Sequence, residues 1–250
     1  MLKLPDITID DLPALFLDFD GTLVDIVARP DLTQVSSQLL TMLDHAHQNL
    51  DGALAIVTGR PLADLDKLLA PLTLPAAGIH GIQHRDRTGC MESRCPMTIP
   101  DDARTQIKSL AASDSRLILE DKVYSLGLHY RLAPELEMTL QSEFDNIGAT
   151  LGPKFFVQHG KMVLELRPTG IDKGSAVERF MSEEPFASRL AIFIGDDQTD
   201  EDAFAVINHL QGYSIKVGEP ERESAAQYRL NDVAAVHAWL QPLAQPQTDS

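Results

Sequence analysis

The sequence has no long hydrophobic run. No apolar segment approaches the roughly 18 residues that a membrane-spanning helix needs. The N-terminal segment contains acidic residues and prolines where a signal peptide requires a basic start and an unbroken apolar stretch. We therefore expect a cytoplasmic protein that has no membrane partner.

Cysteine is also scarce. Cys90 and Cys95 are the only two cysteines among 250 residues, which is too few for a disulfide framework. Two thiols alone would leave a tetrahedral zinc site incomplete. We expect both to be reduced thiols without a metal.

Basic residues are outnumbered by acidic ones. The chain has 21 Lys and Arg against 37 Asp and Glu, which gives a formal net charge of −16. Nucleic acids and anionic membrane surfaces are polyanions and would be repelled, so neither is expected as a partner. An anionic substrate would have to meet a local positive centre, and a bound divalent cation would supply one.

Short apolar runs alternate with segments of helical spacing, and this alternation predicts a parallel sheet covered by helices. From about residue 90 to 167 this alternation of single strands and helices is interrupted. Two helices and two pairs of strands are predicted there, which is typical of an α+β unit rich in hairpins. We expect a core of residues 1–89 and 168–250, an inserted unit of residues 90–167, and a frayed tail over 241–250.

Polar residues follow three of the predicted strands. Asp18 and Asp20 come after the first strand, Thr58 and Gly59 after the second, and an acidic run begins at Gly195 after a later one. Ligands bind beyond the carboxyl ends of parallel strands, so these clusters should converge on one site. Asp18 and Asp20 point the same way along an extended chain, which suits a nucleophile and a proton donor.

The acidic residues at this site predict a magnesium ion. Asp18, Asp196 and Asp197 are hard oxygen donors that would repel one another without a cation between them. A calcium loop of the EF-hand type does not fit, because the sixth residue from Asp196 is Glu201 and not glycine. Mg²⁺ suits a few carboxylates together with substrate phosphate oxygens.

Phosphate needs donors as well as a metal. The Thr58 hydroxyl and the Gly59 amide can approach an anion, ahead of a helix that Pro61 would open. Lys173 opens another helix, with Asp172 as its expected cap, and supplies a compact positive charge.

DFDGTL begins at Asp18, TGR at Thr58 and GDDQTDEDAF at Gly195, and Lys173 lies between the last two. These four segments resemble the motifs of the haloacid dehalogenase superfamily of phosphotransferases. Within it, the sequence is most similar to trehalose-6-phosphate phosphatases, because of GIHG from Gly78, KVYSLGLHYR from Lys122 and ELRPTGIDKG from Glu165. The resemblance implies a Rossmannoid α/β core with a parallel sheet and an inserted α+β cap domain that determines substrate specificity.

The same resemblance implies a role for each core residue. Asp18 would attack phosphorus to give an aspartyl-phosphate, and Asp20 would protonate the leaving sugar oxygen and later activate water. Mg²⁺ would be held by Asp18, by the Asp20 carbonyl and by Asp196. Thr58, Gly59 and Lys173 would stabilise the transferring phosphoryl group, and Asp197 and Asp200 would orient their neighbours; Asp200 also resembles a helix cap.

The inserted unit is expected to bind the sugar. In the segment from Tyr124 to Leu132, alternation puts leucines and Tyr130 on one face and His129 and Arg131 on the other. Glu165 lies on the polar side of a second strand, and with His129 and Arg131 it could hydrogen-bond the hydroxyls of a sugar. The resemblance adds Lys122 and implies that Lys122, Arg131 and Glu165 contact glucose. An ordinary solvated sheet face would show the same alternation.

These motifs leave alternative functions open. The same chemistry on another sugar phosphate, such as sucrose 6-phosphate or a hexose phosphate, would need only a different cap. A mutase or a non-catalytic phospho-sugar sensor would share the fold, although a sensor has no need of Asp20. We expect a free-standing, monomeric bacterial phosphatase whose partner is a small sugar phosphate. We assign no catalytic role to His80 and expect Arg60 to make a helix or interdomain contact.

Overall fold

A computed structural model of the chain describes residue 4 and residues 7–93, 97–219 and 223–245. These residues divide into two compact units. Unit 1 comprises the described parts of Met1–Val27, Thr33–Ser93 and Asp172–Ser250, and unit 2 comprises those of Ala28–Leu32 and Arg94–Ile171.

Strands and helices alternate along most of the described chain. The strands are β1 (Pro13–Leu17), β2 (Leu54–Val57), β3 (Ala76–Gly78), β4 (Gln83–Arg85), β5 (Met91–Ser93), β6 (Ile118–Asp121), β7 (Leu126–His129), β8 (Phe155–Gly160), β9 (Val163–Pro168), β10 (Leu190–Gly195), β11 (Tyr213–Val217) and β12 (Tyr228–Leu230). The helices are α1 (Ser37–Asn49), α2 (Leu62–Leu69), α3 (Asp101–Ala111), α4 (Glu137–Thr150), α5 (Lys173–Met181), α6 (Glu201–His209) and α7 (Val233–Leu240).

Unit 1 is built on one sheet with the strand order β12-β11-β10-β1-β2-β3-β4-β5. The strands from β12 to β3 pair in parallel, and β4 and β5 continue the sheet antiparallel. The parallel α/β architecture predicted from the alternation is therefore confirmed. Because β1 and β10 are adjacent and parallel, the residues that follow them reach the same edge of the sheet.

The core of unit 1 explains why its central strands lack polar residues. Every residue of β1 and β2 is buried, so both faces of the sheet are covered. Phe16 of β1 packs on Phe186 and Phe180, with ring centroids 5.5 and 5.9 Å apart. Close packing of this kind makes the strand ends rigid supports for the loops that follow them.

Unit 2 contains an antiparallel sheet in the order β6-β7-β9-β8, together with α3 and α4. Leu126, Leu128 and Tyr130 are buried as the alternation predicted, and they belong to the same apolar cluster as Phe144 of α4. The opposite face of the sheet carries the polar side chains. One side of unit 2 is thus a hydrophobic core, and the other is available for polar contacts.

Two local predictions were wrong. The strand expected from Tyr124 to Leu132 ends at His129 because the chain turns where Ala133 N donates to Tyr130 O, and this turn leaves Leu132 45% exposed. The tail was expected to fray over residues 241–250, but residues 241–244 form a 3-10 helix that buries Leu243; residues 246–250 lie outside the described residues. Asn49 donates to the carbonyl of Leu243 at 2.9 Å and so holds this helix.

Two observations bear on the compositional arguments. Among the described residues, no helix has both the length and the hydrophobicity that crossing a bilayer demands. Cys90 is exposed, and Cys95 lies outside the described residues.

Candidate active site

The edge of the unit 1 sheet brings Asp18 and Asp196 together. Asp18 follows β1 directly, and its N–H donates to Ile194 O of β10 at 2.9 Å. Asp196 follows β10, and its carboxyl group lies against Gly21, where a Cβ would come within 2.1 Å of Asp196 Oδ2. Gly21 also has a φ of 84°, so this position requires glycine both for its backbone and for its close approach to Asp196.

Lys173 lies in the middle of these acids. It is the first residue of α5, whose N-cap Asp172 accepts a hydrogen bond from Ser175 N at 2.7 Å, as the sequence predicted. Its ammonium group donates to Asp18 Oδ1 at 2.7 Å and to Asp200 Oδ1 at 2.6 Å. Lys173 is 2% exposed, so its charge acts in a water-poor environment, where charge interactions are strong.

Burial and mutual repulsion perturb the acids strongly. Burial, reinforced by Asp200, raises the pKa of Asp18 to about 7 against the opposing charge of Lys173. Burial and the charges of Asp18 and Asp200 raise the pKa of Asp196 to about 9. Burial alone would lower the pKa of Lys173, but the charges of Asp18 and Asp200 outweigh it and raise that pKa. Ionising all three acids together would therefore place more negative charge in the cluster than one lysine balances.

The donor set fits a divalent cation. Carboxylate oxygens of Asp18, Asp196 and Asp200 lie within 4.8 Å of one another. Among the described residues, no hydrogen-bond partner reaches the buried Asp196 Oδ1. A buried carboxylate oxygen with no donor is the kind of ligand that Mg²⁺ prefers, and the ion would supply the missing positive charge. The residues present thus suit magnesium, and the carboxylates of Asp18 and Asp196 could hold it.

Asp200 is oriented differently from Asp18 and Asp196. Both of its oxygens already accept hydrogen bonds, Oδ1 from Lys173 and Oδ2 from Asp197 N at 2.8 Å. Asp200 occupies the N-cap position of α6, but its side chain makes no hydrogen bond to that helix; its contact with Asp197 N instead belongs to the capping box of the short 3-10 helix Gln198–Asp200. The residue holds Lys173 and the loop after β10 in place.

Asp20 is bound by an arginine that sequence reasoning had placed elsewhere. Arg60 Nε donates to Asp20 Oδ2 and Arg60 Nη2 to Asp20 Oδ1, both at 2.6 Å. Arg60 Nη2 also donates to Thr33 Oγ1 at 2.7 Å. The sequence offered no direct signal for this pair, because 40 residues separate Arg60 from Asp20.

Thr58 and Gly59 follow β2, the other neighbour of β1 in the sheet. Thr58 is buried, and its Oγ1 accepts a hydrogen bond from Arg60 N at 3.1 Å. Gly59 lies against the His80 ring, where a Cβ would come within 2.7 Å of His80 Cε1. His80 therefore occupies the space that a larger residue at position 59 would need, so this position requires glycine.

The polar face of unit 2 joins three of the predicted sugar-binding residues. Glu165 Oε1 accepts hydrogen bonds from Lys122 Nζ at 3.1 Å and from Ser125 Oγ at 2.7 Å. His129 Nε2 lies 3.0 Å from Glu120 Oε2, and Lys122 Nζ lies 3.6 Å from the same oxygen. These contacts link Glu165, Lys122, Glu120 and His129, in that order, in one polar network.

Sequence reasoning missed Glu120. The feature that could have indicated Glu120 is the register of the strands. Glu120 on β6 and Glu165 on β9 are both paired with Gly127 of β7, one from each side. Gly127 has no side chain, which opens space between the two carboxylates. Arg131 lies beyond the end of β7 and donates to Lys161 O at 3.3 Å, in the turn between β8 and β9. The structure therefore places Arg131 at the end of the sheet and Glu120 within its polar face.

The fold defines the class of protein first. Solved structures of haloacid dehalogenase-like hydrolases share it, with TM-scores of 0.60 and 0.63 at 16% and 15% sequence identity. The family model for trehalose-phosphatase then matches residues 16–234, so the chain belongs to the trehalose-phosphatase family and is a phosphoric monoester hydrolase.

Individual relatives agree with this assignment. The chain is 40% identical to a probable trehalose-phosphate phosphatase of Sinorhizobium fredii, over 92% of this chain and 87% of the relative. It is 39% identical to the trehalose-6-phosphate phosphatase of Escherichia coli, over 91% and 85% of the two chains. In fold it is similar to the C-terminal domain of trehalose-6-phosphate phosphatase from C. albicans, with a TM-score of 0.84 and 23% identity over 94% of each chain.

Proposed function

We propose that this protein hydrolyses trehalose 6-phosphate to trehalose and inorganic phosphate, with Mg²⁺, through an aspartyl-phosphate on Asp18. The observation that carries the proposal is the buried contact of Lys173 with Asp18, at the edge of the sheet where an anionic ligand would bind. The 40% and 39% identical relatives that bear the name of this activity support the choice of substrate.

In the first step the Asp18 carboxylate attacks phosphorus as the bond from phosphorus to the sugar oxygen breaks. Asp20 gives its proton to that oxygen, so the sugar leaves as a neutral alcohol. Lys173 and the donors at Thr58 and Gly59 stabilise the charge on the phosphoryl oxygens. Bound Mg²⁺ would neutralise the acidic cluster, keep Asp18 ionised and polarise the phosphoryl group.

In the second step water attacks the aspartyl-phosphate. Asp20, now a carboxylate, takes a proton from the water, and Asp18 is regenerated as inorganic phosphate leaves. Asp200 keeps Lys173 against Asp18 during both steps, because it binds the same ammonium group at 2.6 Å. The two aspartates therefore have different tasks because their surroundings differ: Asp18 is buried beside Lys173, and Asp20 is partly exposed beside Arg60.

We assign recognition of the sugar to the polar face of unit 2. Lys122, Glu165 and His129 offer donors and acceptors in a fixed network there, and Arg131 adds donors at the end of the sheet. We propose residues 1–89 and 168–250 as the catalytic domain and residues 90–167 as the domain that determines substrate specificity. The cytoplasmic location, the monomeric state and the absence of nucleic-acid and membrane partners stay predictions from the sequence.

The test is phosphate release in the presence of Mg²⁺ from trehalose 6-phosphate, sucrose 6-phosphate, glucose 6-phosphate and mannose 6-phosphate. We expect a strong preference for trehalose 6-phosphate that Asp18→Asn abolishes. Asp25→Asn, which changes an exposed acid in the same loop, is the matched control and should keep wild-type activity.

The other outcomes separate the alternatives. Preference for a different sugar phosphate would keep the mechanism and change the substrate. Recovery of an isomeric sugar phosphate without release of phosphate would indicate a mutase. Binding of a sugar phosphate without any turnover would indicate a sensor.

A further inference from the structure

The contact between Arg60 and Asp20 is more specific than an ordinary ion pair. Two nitrogens of the guanidinium group each donate to a different oxygen of the carboxylate, both at 2.6 Å. The Arg60 side chain is 11% exposed and that of Asp20 36% exposed. A bidentate pair of this kind fixes the orientation of the carboxylate as well as its position.

Arg60 is itself held from several sides. Its Nη2 donates to the buried Thr33 Oγ1 at 2.7 Å, and its guanidinium carbon lies 5.5 Å from the centre of the Phe19 ring. Its backbone N–H donates to Thr58 Oγ1, and its carbonyl accepts from Ile79 N at 3.0 Å. These contacts join the guanidinium group to the turn that carries the phosphate-binding residues.

The bidentate contact, in which the guanidinium fork of Arg60 binds both oxygens of Asp20, matters for the position of the carboxylate. Without it, an aspartate near solvent can rotate between several side-chain conformers. A proton donor is effective only when its oxygen lies within hydrogen-bond reach of the leaving group. Each carboxyl oxygen has two lone pairs, and Arg60 uses one on each. The remaining lone pair of each oxygen can therefore carry the proton while Arg60 holds the group in place.

We propose that Arg60, anchored by Thr33, is a positioning residue that orients Asp20 for proton transfer to the leaving oxygen. This inference rests on the proposed function, in which Asp20 protonates the leaving sugar. Arg60 does not bind the substrate in this scheme; it acts through Asp20 alone.

The experiment compares two phosphate esters that differ in their need for a proton donor. Trehalose 6-phosphate releases an alkoxide that must be protonated, whereas p-nitrophenyl phosphate releases a stabilised phenolate. The value of kcat/KM reports the steps up to formation of the aspartyl-phosphate, so it isolates the step in which Asp20 acts as an acid. Wild type, Arg60→Met, Arg60→Lys and Thr33→Val are measured with both esters in the same Mg²⁺ buffer.

We expect Arg60→Met to lower kcat/KM for trehalose 6-phosphate by roughly 10- to 100-fold, because a misplaced general acid loses much of its contribution. The value for p-nitrophenyl phosphate should change little. Arg60→Lys keeps the charge but loses the fork, so it should show the same selective loss to a smaller degree. Thr33→Val removes only the acceptor for Nη2 and should show the smallest selective loss.

Arg85→Met is the matched control. Arg85 is another buried arginine of unit 1, and it donates to Asp66 Oδ1 at 2.6 Å and to Leu74 O at 2.9 Å. The Arg85→Met variant should have a lower thermal midpoint than the wild type, and its kcat/KM values for the two esters should keep the wild-type ratio. Thermal melts of every variant separate loss of folding from loss of proton transfer, and Thr33→Val keeps the inference testable if Arg60→Met does not fold.

Equal losses for the two esters in the Arg60 and Thr33 variants would overturn the inference and leave Arg60 with a structural role only. Unchanged activity towards trehalose 6-phosphate would overturn it as well. If wild type turns over neither ester, the proposed function fails first, and the inference that depends on it falls too.

Discussion

Lys173 and Asp18 form an ion pair of 2.7 Å although 155 residues separate them in the chain. The same ammonium group binds Asp200 at 2.6 Å. The first strand, the start of α5 and the loop after β10 therefore meet at one buried cation, and the charge balance of the site depends on it.

Replacing Lys173 with methionine should abolish turnover and destabilise the protein. The change leaves Asp18 and Asp200 buried without their cation, and breaking a buried pair in this way costs about 3–5 kcal/mol. Chemical denaturation in metal-free buffer measures the free energy of unfolding. Lys67→Met is the control, because Lys67 makes an exposed pair with Asp64 and should contribute little. Equal stabilities for the Lys173 variant and the wild type would contradict the role given to this ion pair.

Asp196→Asn should make the metal-free protein more stable at alkaline pH. The pKa of Asp196 is raised from 3.8 to about 9 by burial and by neighbouring carboxylates. A carboxyl group with a raised folded-state pKa stabilises the protein at low pH, and this contribution is lost as the pH rises towards the folded value. Asparagine carries no charge, so unfolding measured in chelator should show a smaller fall in stability between pH 5 and pH 9.

Mg²⁺ should make the wild type more stable than Asp196→Asn, which is the reverse of the order of stability expected in chelator. The wild type should gain thermal stability on addition of Mg²⁺, and Asp196→Asn should gain much less because it lacks a charged ligand. Glu178→Gln, an exposed change on α5, is the control and should respond like the wild type. Equal magnesium-dependent shifts in thermal midpoint for wild type and Asp196→Asn would exclude Asp196 as a ligand.

Glu165→Gln should impair recognition of the sugar and spare the chemistry. Glu165 is almost buried and accepts hydrogen bonds from Lys122 and Ser125, so a neutral amide would disturb the whole polar network. We expect KM for trehalose 6-phosphate to rise roughly tenfold, the equivalent of losing one good polar interaction. Turnover of p-nitrophenyl phosphate should not change. Glu143→Gln changes an exposed acid in the same unit and should leave both values unaltered. If Glu165→Gln impaired the turnover of both esters equally, a role of Glu165 in sugar binding would be contradicted.

His84 should make the folded protein less stable in mild acid, because its buried ring takes up a proton less readily than it does in the unfolded chain. Its buried ring packs on Phe180 at 4.4 Å between centroids, and its neighbours Arg179, Glu183 and Glu92 carry charge. Burial, followed by the charge of Arg179, lowers the pKa of His84 from 6.5 despite the opposing effect of Glu183.

The sign of this effect follows from proton uptake. A histidine with a lowered folded-state pKa binds its proton more readily when unfolded, so stability falls as the pH drops below 6.5. The thermal midpoint of His84→Gln should therefore fall less than that of the wild type between pH 7.5 and pH 5.5. His159→Gln changes a half-exposed histidine that pairs with Asp145 and serves as the control. An identical fall in wild type and His84→Gln would refute the effect.

The parts of the site that the sequence could predict are those fixed by local pattern. Apolar runs marked β1, β2 and β10, and parallel strands deliver whatever follows them to one edge of the sheet. Asp18 and Asp196 could therefore be placed together from the sequence, and Asp172 marked the helix that Lys173 begins. Alternation likewise gave the buried face of β7, until the turn after Tyr130 ended the strand early.

The partners of Asp20, Asp200 and Glu165 depended on tertiary structure. Arg60 reaches Asp20 across 40 residues, and Glu120 faces Glu165 only because β6, β7 and β9 align in one register. By itself, the sequence determined the order of the elements, the superfamily motifs and the strand ends, because hydrophobic periodicity and turn chemistry act over a few residues. Only the folded chain decided which charges pair, since such pairing depends on distances between segments that are remote in sequence.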